Sequence, residues 1–153
     1  MFFCYNADVF KGGAMLNLPV SDIMNDHPIK VKADAPVAGV AHLLLRYRIN
    51  GILVVSPDDQ EKLVGVFTTS DLLEIMEEVL SSGHQKMQIL KQVGSGPVSA
   101  FLHGEIDSLQ VTDNAAKAVA LMHKKSAVTI PVFDGEKLVG VVGRHDIINI
   151  AFA

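Results

Sequence analysis

The sequence predicts an α/β (α+β) chain: two βαββα repeats packed together with pseudo-two-fold symmetry. Three observations carry that prediction. The hexapeptide Glu61-Lys62-Leu63-Val64-Gly65-Val66 recurs letter for letter as Glu136-Lys137-Leu138-Val139-Gly140-Val141. An aspartate follows each copy in the same register, Asp71 and Asp146, so the two segments lie 75 residues apart from Glu to Asp. The elements predicted around the two copies come in the same order. An internal repeat is a stronger guide to fold than any local motif.

Taken in order, Val20–Met24 reads as a short helical turn and Ile29–Val31 as a brief strand. Pro36 opens a helix where proline is favoured. Its apolar residues Val37, Val40, Ala41, Leu44 and Leu45 fall at i, i+3, i+4, i+7 and i+8, on one face. The unbroken apolar run Gly51–Val55 reads as a buried strand. Ser56-Pro57-Asp58-Asp59 turns the chain, Leu63–Phe67 is the next strand, and 70–80 the next helix.

The second copy repeats the plan. Leu109–Val111 is its brief strand and 114–125 its first helix, with Ala115, Ala118, Val119 and Met122 on one face. Ile130–Phe133, a tight turn at Asp134-Gly135, Leu138–Val142 and a helix over 145–151 follow. Val54 aligns with Val132 at a spacing of 78 but Asp71 with Asp146 at 75, because the first copy's turn is three residues longer. The predicted organisation is a leader or arm at 1–17, a first repeat at 18–80, a linker at 81–97 and a second repeat at 98–153. Ser81-Ser82-Gly83 and Gly94-Ser95-Gly96-Pro97 bound the linker, and 84–93 reads as a short helix within it. Each repeat is small and marginal by itself, so each is expected to cover the other's open face.

Composition removes several function classes. With 49% apolar and 20% charged residues the 153-residue chain is globular in character. A net charge of −4 argues against nucleic-acid binding through a basic face. The single cysteine, Cys4, excludes a disulfide framework and a cysteine zinc site, and fits a cytoplasmic location. No apolar run is long enough to span a membrane, and the N-terminus lacks a signal peptide's basic start. The codons for Lys11-Gly12-Gly13 can resemble a bacterial ribosome-binding sequence. Met15 is therefore a candidate start, with 1–14 a translated leader; an ordinary N-terminal arm is the other reading.

The strand-to-helix junction after each hexapeptide carries the chemistry. A helix N-terminus presents backbone N–H groups that lack internal partners and carry partial positive charge, a natural place for phosphate. At the first junction Thr68, Thr69 and Ser70 add hydroxyls, and Asp71 offers a carboxylate able to accept from both hydroxyls of a ribose. Ile52 and Leu53 can flank a purine ring. Phosphate donors, a diol acceptor and an apolar slot together describe a nucleoside phosphate. Thr68-x-x-Asp71 is equally a capping box, which needs no ligand.

The Gly65-Val66-Phe67-Thr68-Thr69-Ser70-Asp71 segment and the order of elements resemble the cystathionine-β-synthase (CBS) domain. The tandem arrangement resembles the CBS pair, or Bateman module, over about residues 18–153. The resemblance implies no required cofactor. It implies an adenosine-containing ligand (AMP, ADP, ATP or S-adenosylmethionine) held between the repeats, a homodimer, and a separate regulated protein as partner. It implies that Asp71 binds ribose and Thr68 phosphate, with Thr69 and Ser70 beside them and Gly51, Ile52 and Leu53 on the strand.

In the second copy it implies Thr129, Ile130 and Pro131 on the strand and Arg144, His145 and Asp146 at the helix. That copy departs from the pattern: Gly143 replaces the threonine. Arg144 either restores a donor as a guanidinium fork or is simply solvated. One cleft is thus expected to bind better than the other. A ligand would act by shifting the balance between arrangements of the pair. The rival expectation is a ligand-free dimerisation or docking module. No catalytic triad, Walker loop, dinucleotide fingerprint or metal-spaced histidine pair is present, so the chain reads as non-enzymatic.

Overall fold

A computed structural model of the protein describes residues 17–152. The readings placed on residues 1–16, including Met15 as a start, lie outside them. Two three-stranded sheets form. The first holds β1 (Lys30–Lys32), β2 (Gly51–Val55) and β3 (Leu63–Thr68) in the order β1-β2-β3. The second holds β4 (Leu109–Gln110), β5 (Thr129–Asp134) and β6 (Lys137–Gly143) in the order β4-β5-β6. In each sheet the first pair is parallel and the second antiparallel. The helices are α1 (Val37–Tyr47), α2 (Thr69–Ser81), α3 (Lys86–Ser95), α4 (Ala115–Lys124) and α5 (Arg144–Phe152). Helix α3 lies in the stretch 81–97 and packs on α1 and α2.

Strand β2 is buried at all five positions, and the alternation of side chains across a strand explains why. Ile52 and Val54 turn toward α1 and α2, joining Val37, Val40, Leu44, Phe67 and Ile75 in one core. Leu53 and Val55 turn the other way and meet Leu138, with Leu63, Val66, Phe133 and Val141 around them. That second cluster is the seam between the sheets. A strand with apolar neighbours on both faces needs a continuous apolar run, which is what 51–55 supplies. Ile130 and Val132 of β5 play the helix-facing part in the second repeat, with Val20, Leu109, Ala118 and Val142.

Val20 comes from the first repeat in sequence yet sits in the second repeat's core. The 3-10 turn Val20–Asp22 is docked by hydrogen bonds from Val20 N to Asp113 O (2.7 Å), Ser21 N to Val111 O (3.3 Å) and Ala115 N to Leu18 O (2.9 Å). Its counterpart, the 3-10 turn Val98–Phe101, docks on the first repeat in the same way. Val98 N donates to Ala35 O (2.8 Å), Ser99 N to Ala33 O (3.1 Å) and Val37 N to Gly96 O (3.0 Å). Each pair of partners differs by 78 residues, the spacing read from the strands. The repeats have therefore exchanged their leading segments.

The glycine inside each hexapeptide marks where the exchanged segment crosses. A Cβ on Gly65 would lie 2.8 Å from Leu102 Cδ1. One on Gly140 would lie 2.8 Å from Asn25 O and from Met24 Sδ. Asn25 and Val141 also bond each other's backbone in both directions, at 2.8 and 3.0 Å. A third close approach joins the repeats directly: a Cβ on Gly51 would fall 2.6 Å from Thr129 Oγ1.

Chemical denaturation should rank two substitutions. Gly140→Ala meets backbone and should destabilise by about 1–3 kcal/mol, the usual range for overpacking. Gly65→Ala meets only the end of a leucine side chain and should cost less. Equal midpoints for the two variants would contradict this account of the crossing.

Candidate functional site

Two clefts open between the repeats. Each forms where the first turn of one repeat's last helix faces the other repeat's helix-to-strand loop. The larger, of about 300 Å³, is lined by Gly143, Arg144, His145 and Asp146 from the start of α5. Across from them stand Arg48, Ile49, Asn50 and Gly51, with Ile29, Leu53 and Val141 supplying apolar surface and Asn25 at the edge. The smaller, of about 220 Å³, is lined by Thr68, Ser70 and Asp71 at the start of α2. Facing them are Lys125, Ser126, Ala127, His103, Glu105, Ile106 and Asp107. Val128 and Thr129 border both. The Asp146 cleft reaches the size at which small-ligand pockets begin; the Asp71 cleft falls short of it.

Helix α2 starts in a full capping box. Asp71 N donates to Thr68 Oγ1 (3.3 Å), and the Asp71 carboxylate accepts from Thr68 N at 2.6 Å. The Thr68 hydroxyl itself donates to Asp71 Oδ2, at 2.7 Å. That hydroxyl is consumed by the cap. Helix α5 starts with half of the same device: Gly143 N donates to Asp146 Oδ2 at 2.6 Å, with no hydroxyl to complete it. In both aspartates the bonds fall on Oδ2, so among the described residues Oδ1 is the oxygen left for a ligand. Thr69 N and Arg144 N are taken by the carbonyls of Asn50 (2.9 Å) and Val128 (3.3 Å). Among the described residues, the N–H groups of Ser70 at the start of α2 and of His145 and Asp146 at the start of α5 remain as first-turn donors.

Arg144 is exposed and anchored at one side of its guanidinium: Nε donates to Ala127 O and Nη2 to Ser126 O, each at 3.2 Å. These bonds fix a positive charge at the mouth of the Asp146 cleft. In the other cleft the cation is Lys125, bonded to Asp107 at 2.7 Å. The Asp107 carboxylate raises the Lys125 pKa above its ordinary value.

Of the residues predicted from sequence, the Asp146 cleft brings together Gly51, Leu53, Thr129, Arg144, His145 and Asp146. The Asp71 cleft brings together Thr68, Ser70, Asp71 and again Thr129. Ile52 and Ile130 instead fill the helix-facing cores. Thr69 and Pro131 line neither cleft. Sequence reasoning missed Ile29, Arg48 and Asn25 on one side and Asp107, Glu105 and Lys125 on the other. Among the described residues no group of histidine, cysteine or carboxylate side chains is placed to hold a metal ion. No helix among them is long and apolar enough to cross a membrane.

Paired sheets, exchanged leading segments and two inter-repeat clefts define a tandem-repeat α/β module. The CBS domain matches residues 20–78 and again 98–152, and the chain belongs to that family as a CBS pair. A solved acetoin utilization protein (AcuB) from Vibrio cholerae superposes with a TM-score of 0.71 at 24% identity, covering 89% of this chain and 91% of that one. The CBS pair of protein MJ0100, solved with 5-methylthioadenosine and S-adenosyl-L-methionine, gives 0.65 at 21% identity, covering 87% and 98%. CBSX2, solved with AMP, gives 0.66 at 22%, covering 87% and 95%. Among curated relatives, an uncharacterized Methanocaldococcus jannaschii protein, MJ1404, is 29% identical over 142 residues. The match takes in 91% of this chain and only 33% of MJ1404. Arabinose 5-phosphate isomerase KdsD of Yersinia pestis matches at 27% over 90% of this chain and 40% of its own length. The chain thus spans about a third to two fifths of these two relatives.

Gly143 has no positive φ, and a Cβ there would sit 3.4 Å from Asp146 Oδ2. Gly143→Thr should therefore complete the missing cap and raise stability by about 0.5–1 kcal/mol, through the added cap bond and a stiffer unfolded chain. Thr68→Ala should lower it by about 1 kcal/mol. Paired urea titrations read both; a destabilised Gly143→Thr would mean that the two junctions are not equivalent.

Proposed function

We propose that the chain is a regulatory module that binds an adenosine-containing ligand in the Asp146 cleft and passes the result to a separate protein. The observation that carries this is the convergence of three recognition chemistries in one space. Ile29, Leu53 and Val141 form an apolar slot for a flat ring. Asp146 Oδ2 is bonded to Gly143 N, and its Oδ1 is the oxygen that would accept from a ribose diol. The first turn of α5 and the anchored Arg144 supply positive charge for a phosphate. The neighbours solved with AMP and with S-adenosylmethionine support an adenosine ligand, and the absence of any catalytic constellation in the sequence supports a non-catalytic role. The Asp71 cleft is the weaker site in this reading, because its threonine hydroxyl is already bonded within the cap. Binding would act by favouring one arrangement of the two repeats.

A second observation favours self-association. Leu73, Met76 and Leu80 make an exposed apolar stripe on α2, 66%, 50% and 59% accessible. Ile148 and Phe152 are likewise exposed on α5, at 51% and 74%. Exposed apolar surface of this kind marks an interface, and a homodimer that buries both helices is the reading we adopt. Sedimentation of Leu73→Glu/Phe152→Glu should show a smaller species than the wild type. An unchanged mass would remove the helices from the interface.

Ligand binding is tested by melting the protein with AMP, ADP, ATP and S-adenosylmethionine. A ligand at 100 times its dissociation constant should add about 2.7 kcal/mol of stability. Asp146→Ala should abolish the response and Asp71→Ala should largely keep it. If no adenosine compound shifts the melt, the chain is the ligand-free docking module instead.

A further inference from the structure

The two clefts have the same backbone and opposite charge. Arg48 and Ser126 occupy equivalent places, 78 residues apart, and both hold a left-handed conformation, with φ of 53° and 56°. One is a guanidinium at the rim of the Asp146 cleft; the other is a small hydroxyl at the rim of the Asp71 cleft. The left-handed turn belongs to the loop, as at many helix ends, so the side chain is the difference. Ile29 and Asp107 are equivalent by the same shift, and an apolar wall in the first cleft becomes a carboxylate in the second. Arg144 stands where the first repeat has Thr69, 75 residues earlier. The Asp146 cleft therefore sets two guanidiniums against one carboxylate. The Asp71 cleft sets Asp71, Glu105 and Asp107 against Lys125, whose ammonium is already bonded to Asp107.

Resting on the nucleotide-binding reading above, we infer that the clefts sort ligands by charge, with Arg48 the residue that selects a nucleoside monophosphate for the Asp146 cleft and Glu105 with Asp107 the pair that bars phosphate from the other. Among the described residues Arg48 makes no ion pair and no side-chain hydrogen bond, so its guanidinium is available to a phosphate. Arg144 is held by carbonyls and contributes charge; Arg48 is exposed and can close on the anion as a two-pronged donor. A phosphate entering the Asp71 cleft would meet three carboxylates in its lining, with a single cation, already paired, to oppose them. An adenosine without phosphate feels neither effect.

Calorimetry with AMP and adenosine, which differ only in the phosphate, tests this. In wild type AMP should bind at one site per chain, more tightly than adenosine and more weakly as salt is raised. Arg48→Ser installs the residue that already accepts this backbone in the other repeat. It should weaken AMP by about tenfold or more and change adenosine by less than about twofold. Glu105→Gln/Asp107→Asn should admit AMP to the Asp71 cleft and raise the stoichiometry toward two. Equal losses of AMP and adenosine in Arg48→Ser, or two equal AMP sites in wild type, would overturn charge sorting while leaving nucleotide binding intact. Silence from both ligands in the wild type would overturn both proposals together.

Discussion

The exchange of leading segments is the constraint on which the rest of the structure depends. Val20 is fully buried in the second repeat's core, and Val98 is fully buried in the first. Neither core is complete without residues from the other half. The exchange explains the glycine in each hexapeptide, because Leu102 or the Met24–Asn25 backbone occupies the space a side chain would take. It also reaches the clefts. Asn25 edges one and His103, its counterpart, edges the other, each carried there by the segment that crossed over.

Much of the fold was legible in the sequence, for reasons that can be traced to particular residues. The run 51–55 is continuous because β2 has apolar neighbours on both faces, and an unbroken run is a strong local signal. The shared register of Asp71 and Asp146 survives because each caps a helix whose start is tied to its strand. Pro36 was read as opening α1 and stands one step earlier, as the residue before Val37. The exchange itself was not legible. The bonds from 18–21 reach 111–115 across some ninety residues of chain, and no periodicity records which half a short turn will join.

The candidate site was legible at its acids and obscure at its walls. Asp146 and Arg144 stand in a recognisable pattern next to a repeat. Ile29 and Arg48 do not: one precedes a three-residue strand and the other follows a helix, in loops without motif. Ile52 illustrates the opposite error. Adjacent to Leu53 in sequence, it faces the helices because neighbours on a strand point to opposite sides, so one of the two had to leave the cleft. Thr68 shows a further limit. Its hydroxyl has the right chemistry for phosphate, and only the geometry reveals that the proton is directed at Asp71 Oδ2.

The reciprocal bonds also tie the fates of the two halves together. Parting the repeats would uncover Val20 and Val98 and leave the backbone groups of both docks without their partners. Neither core could then stay intact, so the two clefts stand or fall as one unit, while exposed side chains such as Arg48 and Ser126 are left to differ between them.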